Sequence, residues 1–480
     1  MPDAKRKATP VATDLIDQLK SVVGPSGYLE GTADTDPYCV SWRDGWQGAT
    51  PIVLRPKTTE EVSQIVKLCA EAGVAIVPQG GNTGLTGGGQ PHDDMSEVVL
   101  TTARMNEVKE IDLENDTITV EAGVILQKIQ ELARDNDRLF PLSLGAEGTC
   151  QIGGNLATNA GGTQVLRYGN ARALVLGLEV VLPNGEIWDG LRGLRKDNTG
   201  YDMKHLFSGG EGTLGIITGA VLRLFPKPTA TETAWTAVPS PQYAVKLLGH
   251  MKSRLGDQVS GFELMQRSII DFLLAGVPGH EDPLESPHPW YVLAEVTGQG
   301  APDSLSEPFT EALGEAMELG LVEDAVIATS GAQSAGFWKM REDLAEGQKQ
   351  AGVSIKHDVS VPVSRIAEFL ERADAAITEA YPGMRPCAFG HVGDGNLHYN
   401  PAGPEAWNGN FYDERVAVNR IVHDLVIELG GSISAEHGIG RLRLDENLHY
   451  KSPVEIEMMR TLKRALDPKG IMNPGKLITF

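Results

Sequence analysis

Two imidazoles stand on either side of a Gly-Asp-Gly turn in residues 387–400, Cys-Ala-Phe-Gly-His-Val-Gly-Asp-Gly-Asn-Leu-His-Tyr-Asn. The glycines permit a sharp reversal of the chain. Two short strands folded back on each other would bring His391 and His398 to one end of a hairpin. Downstream, residues 434–440, Ser-Ala-Glu-His-Gly-Ile-Gly, add a second carboxylate and imidazole pair, Glu436 and His437. Two histidines and a glutamate make a facial N/N/O ligand set that leaves metal positions open. His437 would then stand beside the metal as a base. The same spacing also occurs among ordinary polar loop residues, so the rest of the chain has to decide.

A chain of 480 residues exceeds one average core and suggests two or three domains. Hydrophobic residues at 41% and charged ones at 22% fit a soluble globular protein. The formal net charge of −22 argues against nucleic acid or an anionic membrane as partner. It also means that an anionic substrate needs local cations to hold it. Cys39, Cys69, Cys150 and Cys387 lack C-x-x-C spacing, which fits a reducing compartment without disulfides. No apolar run approaches the ~18 residues of a membrane span. Lys5-Arg6-Lys7 is followed by no apolar run, unlike a secretory signal. The N-terminus is also too short and too poor in arginine for a transit peptide. The expectation is a frayed terminus on a cytoplasmic protein.

The elements around these residues follow from pattern. Thr58 and Glu61 have capping-box spacing, Val62, Ile65, Val66 and Cys69 recur at helical intervals, and Gly73 ends the helix. A short buried strand at 75–77 enters the loop 78–89, Pro-Gln-Gly-Gly-Asn-Thr-Gly-Leu-Thr-Gly-Gly-Gly. Such a loop lets successive backbone N–H groups point at one anion, because no Cβ blocks the approach. The order helix, strand, glycine loop is not that of a Rossmann unit, and no Lys-Ser or Lys-Thr closes a Walker loop. A plain surface turn is the alternative.

A strand at 116–121 leads to an amphipathic helix at 125–136. A second glycine-rich region, 144–162, mixes small residues with Thr and Asn, which suits a backbone packed against a flat ligand. Residues 174–189 read as a hairpin about Asn184-Gly185. A third glycine cluster, 209–218, precedes a strand ending near Phe225, and Pro226-Lys227-Pro228 marks a boundary. Beyond it, helical patterns at 303–319 and 363–381 alternate with strands such as 290–297. A last helix at 454–466 precedes Asn473-Pro474-Gly475-Lys476.

The three glycine regions, the run Leu-Arg-Lys-Asp-Asn-Thr-Gly-Tyr-Asp at 194–202, both histidine segments and the Asn-Pro-Gly-Lys tail occur together and in order. In them the chain resembles the flavoprotein family of vanillyl-alcohol oxidase and p-cresol methylhydroxylase, and within it the D-2-hydroxy acid dehydrogenases. The resemblance covers nearly everything from residue 40 to 480. It implies an α+β fold with an FAD-binding domain of the vanillyl-alcohol oxidase type, two α/β subdomains, over 1–228. An α+β substrate-binding cap domain would occupy 229–430. A C-terminal helical segment, 431–480, would carry metal and base residues and return to the flavin.

The resemblance further implies FAD, with its pyrophosphate on Gly80, Gly81, Asn82, Thr83, Gly84 and Leu85. Its remaining contacts map onto Gly145, Thr149, Gly153, Gly154, Asn155, Thr158, Asn159, Gly161, Ile217 and Asn473. Some relatives bind FAD covalently through a histidine in the first glycine loop. This loop has none, the nearest being His92, so the flavin is expected to be noncovalent. The family's divalent metal maps onto His391, His398 and Glu436, with Zn²⁺ the first choice and Mn²⁺ or Fe²⁺ open. The base maps onto His437, and substrate contacts onto Arg341, Lys356 and Asn400. A further contact, usually threonine, falls at Ala345, which leaves the substrate preference open.

Such a site would take a proton from the hydroxyl and a hydride from C2 of a D-2-hydroxy acid. A dicarboxylate, D-2-hydroxyglutarate, is the leading substrate, with D-lactate or D-malate as alternatives. Arg341 can grip a carboxylate bidentately and Lys356 acts as a point charge. A non-catalytic flavin electron carrier, the reading from another class, would need neither Glu436 nor His437. The resemblance points to an electron-transfer flavoprotein as acceptor and leaves a homodimer open.

Overall fold

The structure, a computed structural model, describes residues 9–41, 46–405 and 407–479; the Lys5-Arg6-Lys7 run lies outside them. The chain folds as two compact units, Met1–Gly161, Gly169–Lys227 and Glu436–Phe480 in the first, Gly162–Tyr168 and Pro228–Ala435 in the second. Among the described residues no helix is long and apolar enough to cross a membrane.

The first unit is built about the helix Thr59–Ala72. Thr58 holds an extended backbone and its side chain accepts from Glu61 N. The Glu61 carboxylate reaches back to Lys57 N, one residue upstream of the usual capping-box partner. Gly73 ends the helix in the left-handed region, at φ 67°. Val62, Ile65, Val66 and Cys69 are fully buried, and they share one core with Ile76, Val98 and Leu100 from one sheet and Val181 and Ile216 from another. Burial of each such side chain is worth about 1.5–3 kcal/mol.

The first of those sheets runs Tyr28–Leu29, Val53–Leu54, Glu97–Thr101, Ala75–Gln79, its last three strands parallel. The second runs Val108–Asp112, Thr117–Glu121, Ile216–Arg223, Val175–Val181, Ile187–Gly190 and is antiparallel throughout. Its last two strands are the expected hairpin, but the turn differs. Gly185 has φ 81° while Asn184 is not at positive φ, and Leu182 N donates to Glu186 O. Three residues therefore make the loop rather than an Asn-Gly pair.

The C-terminal segment folds into this first unit. Ser452 and Glu455 form a full capping box on the helix Pro453–Leu466. Beyond it, Asp467 accepts from Ile471 N and Met472 N, and Lys463 Nζ bridges Asp467, Thr213 O and Met472 O. The chain then runs beside Ala75–Gln79: Ile76 N donates to Ile471 O and Asn473 N to Ile76 O.

The second unit is a seven-stranded antiparallel sheet in the order Asp324–Ile327, Ala230–Val238, Trp290–Gly298, Val259–Gln266, Ala388–Gly390, Asn396–Tyr399, His357–Ser360. The helices Arg267–Gly276 and Gly331–Gln350 pack on one face of it, through Ile269, Ile270, Leu273, Phe337, Met340 and Leu344 against Trp235, Met265, Tyr291, Leu293 and Phe389. Residues 162–168 belong here because Arg167 Nη1 donates to both Thr297 O and Thr297 Oγ1 at 2.6 Å.

Candidate active site

The glycine loops of the first unit line a partly open cavity. Gly80, Gly81, Asn82, Thr83, Gly84, Gly153, Gly154, Asn155, Thr158 and Ile217 line it, together with Glu211 and His437. Within the second glycine-rich region, Ile152–Thr158 is a short helix. A Cβ on Gly153 would stand 2.7 Å from Ala122 Cβ, so glycine lets this helix lie directly on the neighbouring chain.

Gln79 Oε1, Gln90 Oε1 and Asn155 Oδ1 are buried on this lining without a hydrogen-bond partner among the described residues. The Gln79 amide is oriented by its Nε2, which donates to Tyr38 O and Gly89 O. Unpaired buried acceptors are costly, and they favour a ligand bearing N–H or O–H groups. Nothing in the sequence pattern singles out Gln79, Gln90, Gln151 or Glu211, since one amide or carboxylate in a glycine run carries no spacing signal.

Leu85, Gly145, Thr149, Asn159, Gly161 and Asn473 are not among the lining residues. Two of them brace the lining instead. Thr149 O would meet a Cβ on Gly81 at 2.2 Å, and Asn473 Nδ2 ties Gly88 O to Glu211 O. Gly81→Ala is therefore expected to destabilise the protein by about 1–3 kcal/mol and to lower its flavin content, since the loop must move to admit the methyl group. Thermal unfolding and the flavin-to-protein absorbance ratio of the purified variant check this.

Loop 437–442 is clamped by its backbone. Both Glu211 oxygens accept, from Ile439 N at 2.8 Å and Gly440 N at 2.7 Å. Thr86 Oγ1 donates to His437 O, and Thr86 O accepts from Arg441 N and Leu442 N. Burial pushes the Glu211 carboxyl up, against the pull of the two N–H groups. The His437 and Glu436 side chains are partly open, with His437 Nε2 3.8 Å from Glu436 Oε1.

The second unit assembles the other candidates by strand register. Met265 pairs with Phe389, Phe389 with His398, and His398 with Asp358. Directly opposed residues project to the same face, as does Glu263, two residues before Met265. The hairpin expected around Gly393-Asp394-Gly395 forms, and it brings the His391 and His398 rings to 5.8 Å between centroids, nearly perpendicular. Gly390 and Gly395 are required there: they have φ 151° and 93°, and added Cβ atoms would lie 2.7 Å from Asn396 O and 2.3 Å from Val361 O.

Arg341, midway along Gly331–Gln350, is buried against that face. Its Nε donates to Glu263 Oε2 at 2.8 Å, and its guanidinium carbon lies 5.1 Å from the Phe389 ring centre. His391 Nδ1 is 2.7 Å from Glu263 Oε1. Burial alone would raise the Glu263 carboxyl, but its contacts with His391 and Arg341 pull it below the usual carboxylate range. Asp358, opposite His398 in the sheet, has a ligand-type oxygen within 4.8 Å of a His398 ring nitrogen. Asn400 spends Oδ1 on His357 N and an Nδ2 hydrogen on Gln348 Oε1. Lys356 is half-buried at the start of His357–Ser360.

Residues 50–190 match the family model described as FAD binding domain, and residues 227–477 match that of the FAD linked oxidases, C-terminal domain. The D-2-hydroxyglutarate dehydrogenase, mitochondrial, of Arabidopsis thaliana is 37% identical over 465 residues, covering 96% of this chain and 81% of that one. The protein of the same name from Danio rerio is 39% identical over 456 residues, covering 94% and 83%. The solved structure of p-cresol methylhydroxylase with substrate bound matches with a TM-score of 0.76 at 17% identity, over 98% of each chain, and speaks for the fold.

The chain belongs to the FAD-linked oxidases, with the fold of the vanillyl-alcohol oxidase and p-cresol methylhydroxylase flavoproteins. It is an FAD-dependent D-2-hydroxy acid dehydrogenase, an oxidoreductase acting on CH–OH donors. FAD fits this lining in its chemistry: it carries N–H and O–H donors for the unpaired amide oxygens and an anionic pyrophosphate for glycine-loop N–H groups.

The expected cytoplasmic location does not stand, because relatives 37–39% identical are named mitochondrial. That expectation rested on four cysteines without C-x-x-C spacing, the lack of a secretory signal, and an N-terminus read as too short and too arginine-poor for a transit peptide. The first two do not separate the cytosol from another reducing compartment, and the relatives' names overturn what the third suggested.

Proposed function

We propose that the chain oxidises D-2-hydroxyglutarate to 2-oxoglutarate, with electrons passing on to an electron-transfer flavoprotein. His391, His398 and Glu436 hold a divalent metal, Zn²⁺ first. His437 is the base, and Arg341, Lys356 and Asn400 hold the substrate. The observation that carries this reading is the single carboxylate, Glu263, that binds a ligand-type imidazole on one oxygen and a buried guanidinium on the other. It sets a metal ligand and an anchor for a carboxylate side by side, which is what a hydroxy acid with a second carboxylate requires. The relatives' names supply the substrate itself.

When bound, FAD supplies at N5 the acceptor for the C2 hydride, and the metal supplies a Lewis acid for the hydroxyl oxygen. The chain's own residues do the rest. Arg341 fixes the carboxylate remote from C2 through directed N–H groups, and Lys356 adds charge. The His437 imidazole takes the hydroxyl proton as C2 is oxidised; an imidazole has the basicity for this near neutral pH. The product is the 2-oxo acid; the hydroxyl proton rests on His437, and the C2 hydrogen leaves with both electrons as the hydride that the flavin would accept.

Anaerobic mixing with a panel of D- and L-2-hydroxy acids, followed by flavin absorbance, tests this. D-2-Hydroxyglutarate should bleach the flavin. Chelator treatment should abolish the bleaching and leave FAD bound, because the cavity lining and the three metal ligands are different residues. Full bleaching after verified metal removal would overturn the metal's role. No bleaching by any hydroxy acid would favour a non-catalytic carrier.

A further inference from the structure

We propose that Glu263 is a positioning residue that sets the tautomer of His391 and the orientation of Arg341 at once, so that metal retention and substrate anchoring depend on one carboxylate. The proposal rests on the reading of His391 as metal ligand and Arg341 as substrate anchor. Glu263 lies in the apolar strand Val259–Gln266 and is 1% exposed. A carboxylate there is costly unless both oxygens are bonded. Both are: Oε1 to His391 Nδ1 at 2.7 Å, Oε2 to Arg341 Nε at 2.8 Å, with Arg341 Nη2 also 2.8 Å away.

An ionised carboxylate only accepts, so His391 Nδ1 must carry the hydrogen. The neutral ring then has its lone pair on Nε2, the form in which a histidine binds a cation through that atom. On the other side, Glu263 holds the Nε edge of Arg341 while Phe389 covers the guanidinium face. The plane is thereby fixed, and the remaining N–H groups of the fork point in set directions.

The chemistry demands Glu rather than Gln. Two N–H donors converge on the two oxygens, and an amide offers one acceptor and one donor. In Glu263→Gln the NH₂ must face His391 or Arg341. Facing His391, it drives the ring to the Nε2–H tautomer and removes the ligand lone pair. Facing Arg341, it opposes another donor and turns the guanidinium away. Glu263→Asp keeps both acceptors on a shorter arm and should fall between wild type and Glu263→Gln.

The test uses the full chain with FAD. Zn²⁺ affinity is measured by competition with a chromophoric chelator, together with FAD content, thermal unfolding, and KM and kcat for D-2-hydroxyglutarate. Glu263→Gln should bind Zn²⁺ about 10–100-fold more weakly while keeping its FAD. KM should rise, and Glu263→Asp should recover part of both. A purely structural role would lower the unfolding temperature and leave Zn²⁺ affinity and KM in the folded fraction unchanged, which would overturn the proposal. Should Glu263→Gln not fold, Glu263→Asp with wild-type Zn²⁺ affinity and KM would overturn it equally. A wild-type protein that binds no Zn²⁺ would sink the reading of His391 and this proposal with it. A metal-binding wild type matched by Glu263→Gln would sink the proposal alone.

Discussion

His437→Ala should lower turnover by about 10²–10⁴-fold while the protein keeps both its metal and its FAD. The loop's backbone is held by groups other than the ring. Glu211 holds Ile439 N and Gly440 N, and Thr86 holds His437 O and the Arg441 and Leu442 amides, all through the loop's backbone. Truncating the imidazole therefore removes the proposed base and keeps these backbone contacts. His391→Ala makes the contrast: it deletes a proposed ligand and strands one oxygen of a buried carboxylate. Metal analysis beside single-turnover flavin reduction separates the two. A His437→Ala protein that loses its metal as His391→Ala does would make His437 a ligand, and the base would have to be sought elsewhere.

The parts that local pattern determines were legible in the sequence. Helix Thr59–Ala72 carries its own cap, stripe and stop, and the hairpin about residues 391–395 needs glycines that only a reversal explains. Glu263 was not legible. It is one acid in Val-Ser-Gly-Phe-Glu-Leu-Met-Gln, and its partners lie 78 and 128 residues away. Asp358 was missed for a similar reason, since strand register rather than spacing sets it opposite His398. The Ile152–Thr158 helix was hidden because glycine and threonine are poor helix formers, and close packing overrides their propensity. Arg167 draws residues 162–168 into the second unit through Thr297, 130 positions on, a contact no composition shift announces.

Substrate choice should show the next largest effect. At a net charge of −22 the chain as a whole repels a dianion, so local groups must overcome that repulsion. Glu263, held ionised, cancels the charge of Arg341. On the proposed assignment Arg341 contributes directed hydrogen bonds more than net charge, and the proposed metal supplies the surplus of positive charge. A charge-assisted contact of this kind is worth about 1.5–3 kcal/mol, or roughly 10–150-fold in kcat/KM. Arg341→Ala should cost D-2-hydroxyglutarate that factor and D-lactate, which lacks the second carboxylate, far less. The variant also breaks a buried ion pair, which typically costs about 3–5 kcal/mol of stability. Arg341→Lys is the companion that keeps a cation near Glu263 while losing the fork. If the fork matters, Arg341→Lys should discriminate between the two substrates nearly as poorly as Arg341→Ala, while unfolding at a higher temperature. Comparing kcat/KM for D-2-hydroxyglutarate, D-malate and D-lactate across the three proteins decides the matter. Equal losses on all substrates would place Arg341 on the α-carboxylate that they share. A wild-type preference for D-lactate would leave the dicarboxylate assignment without support.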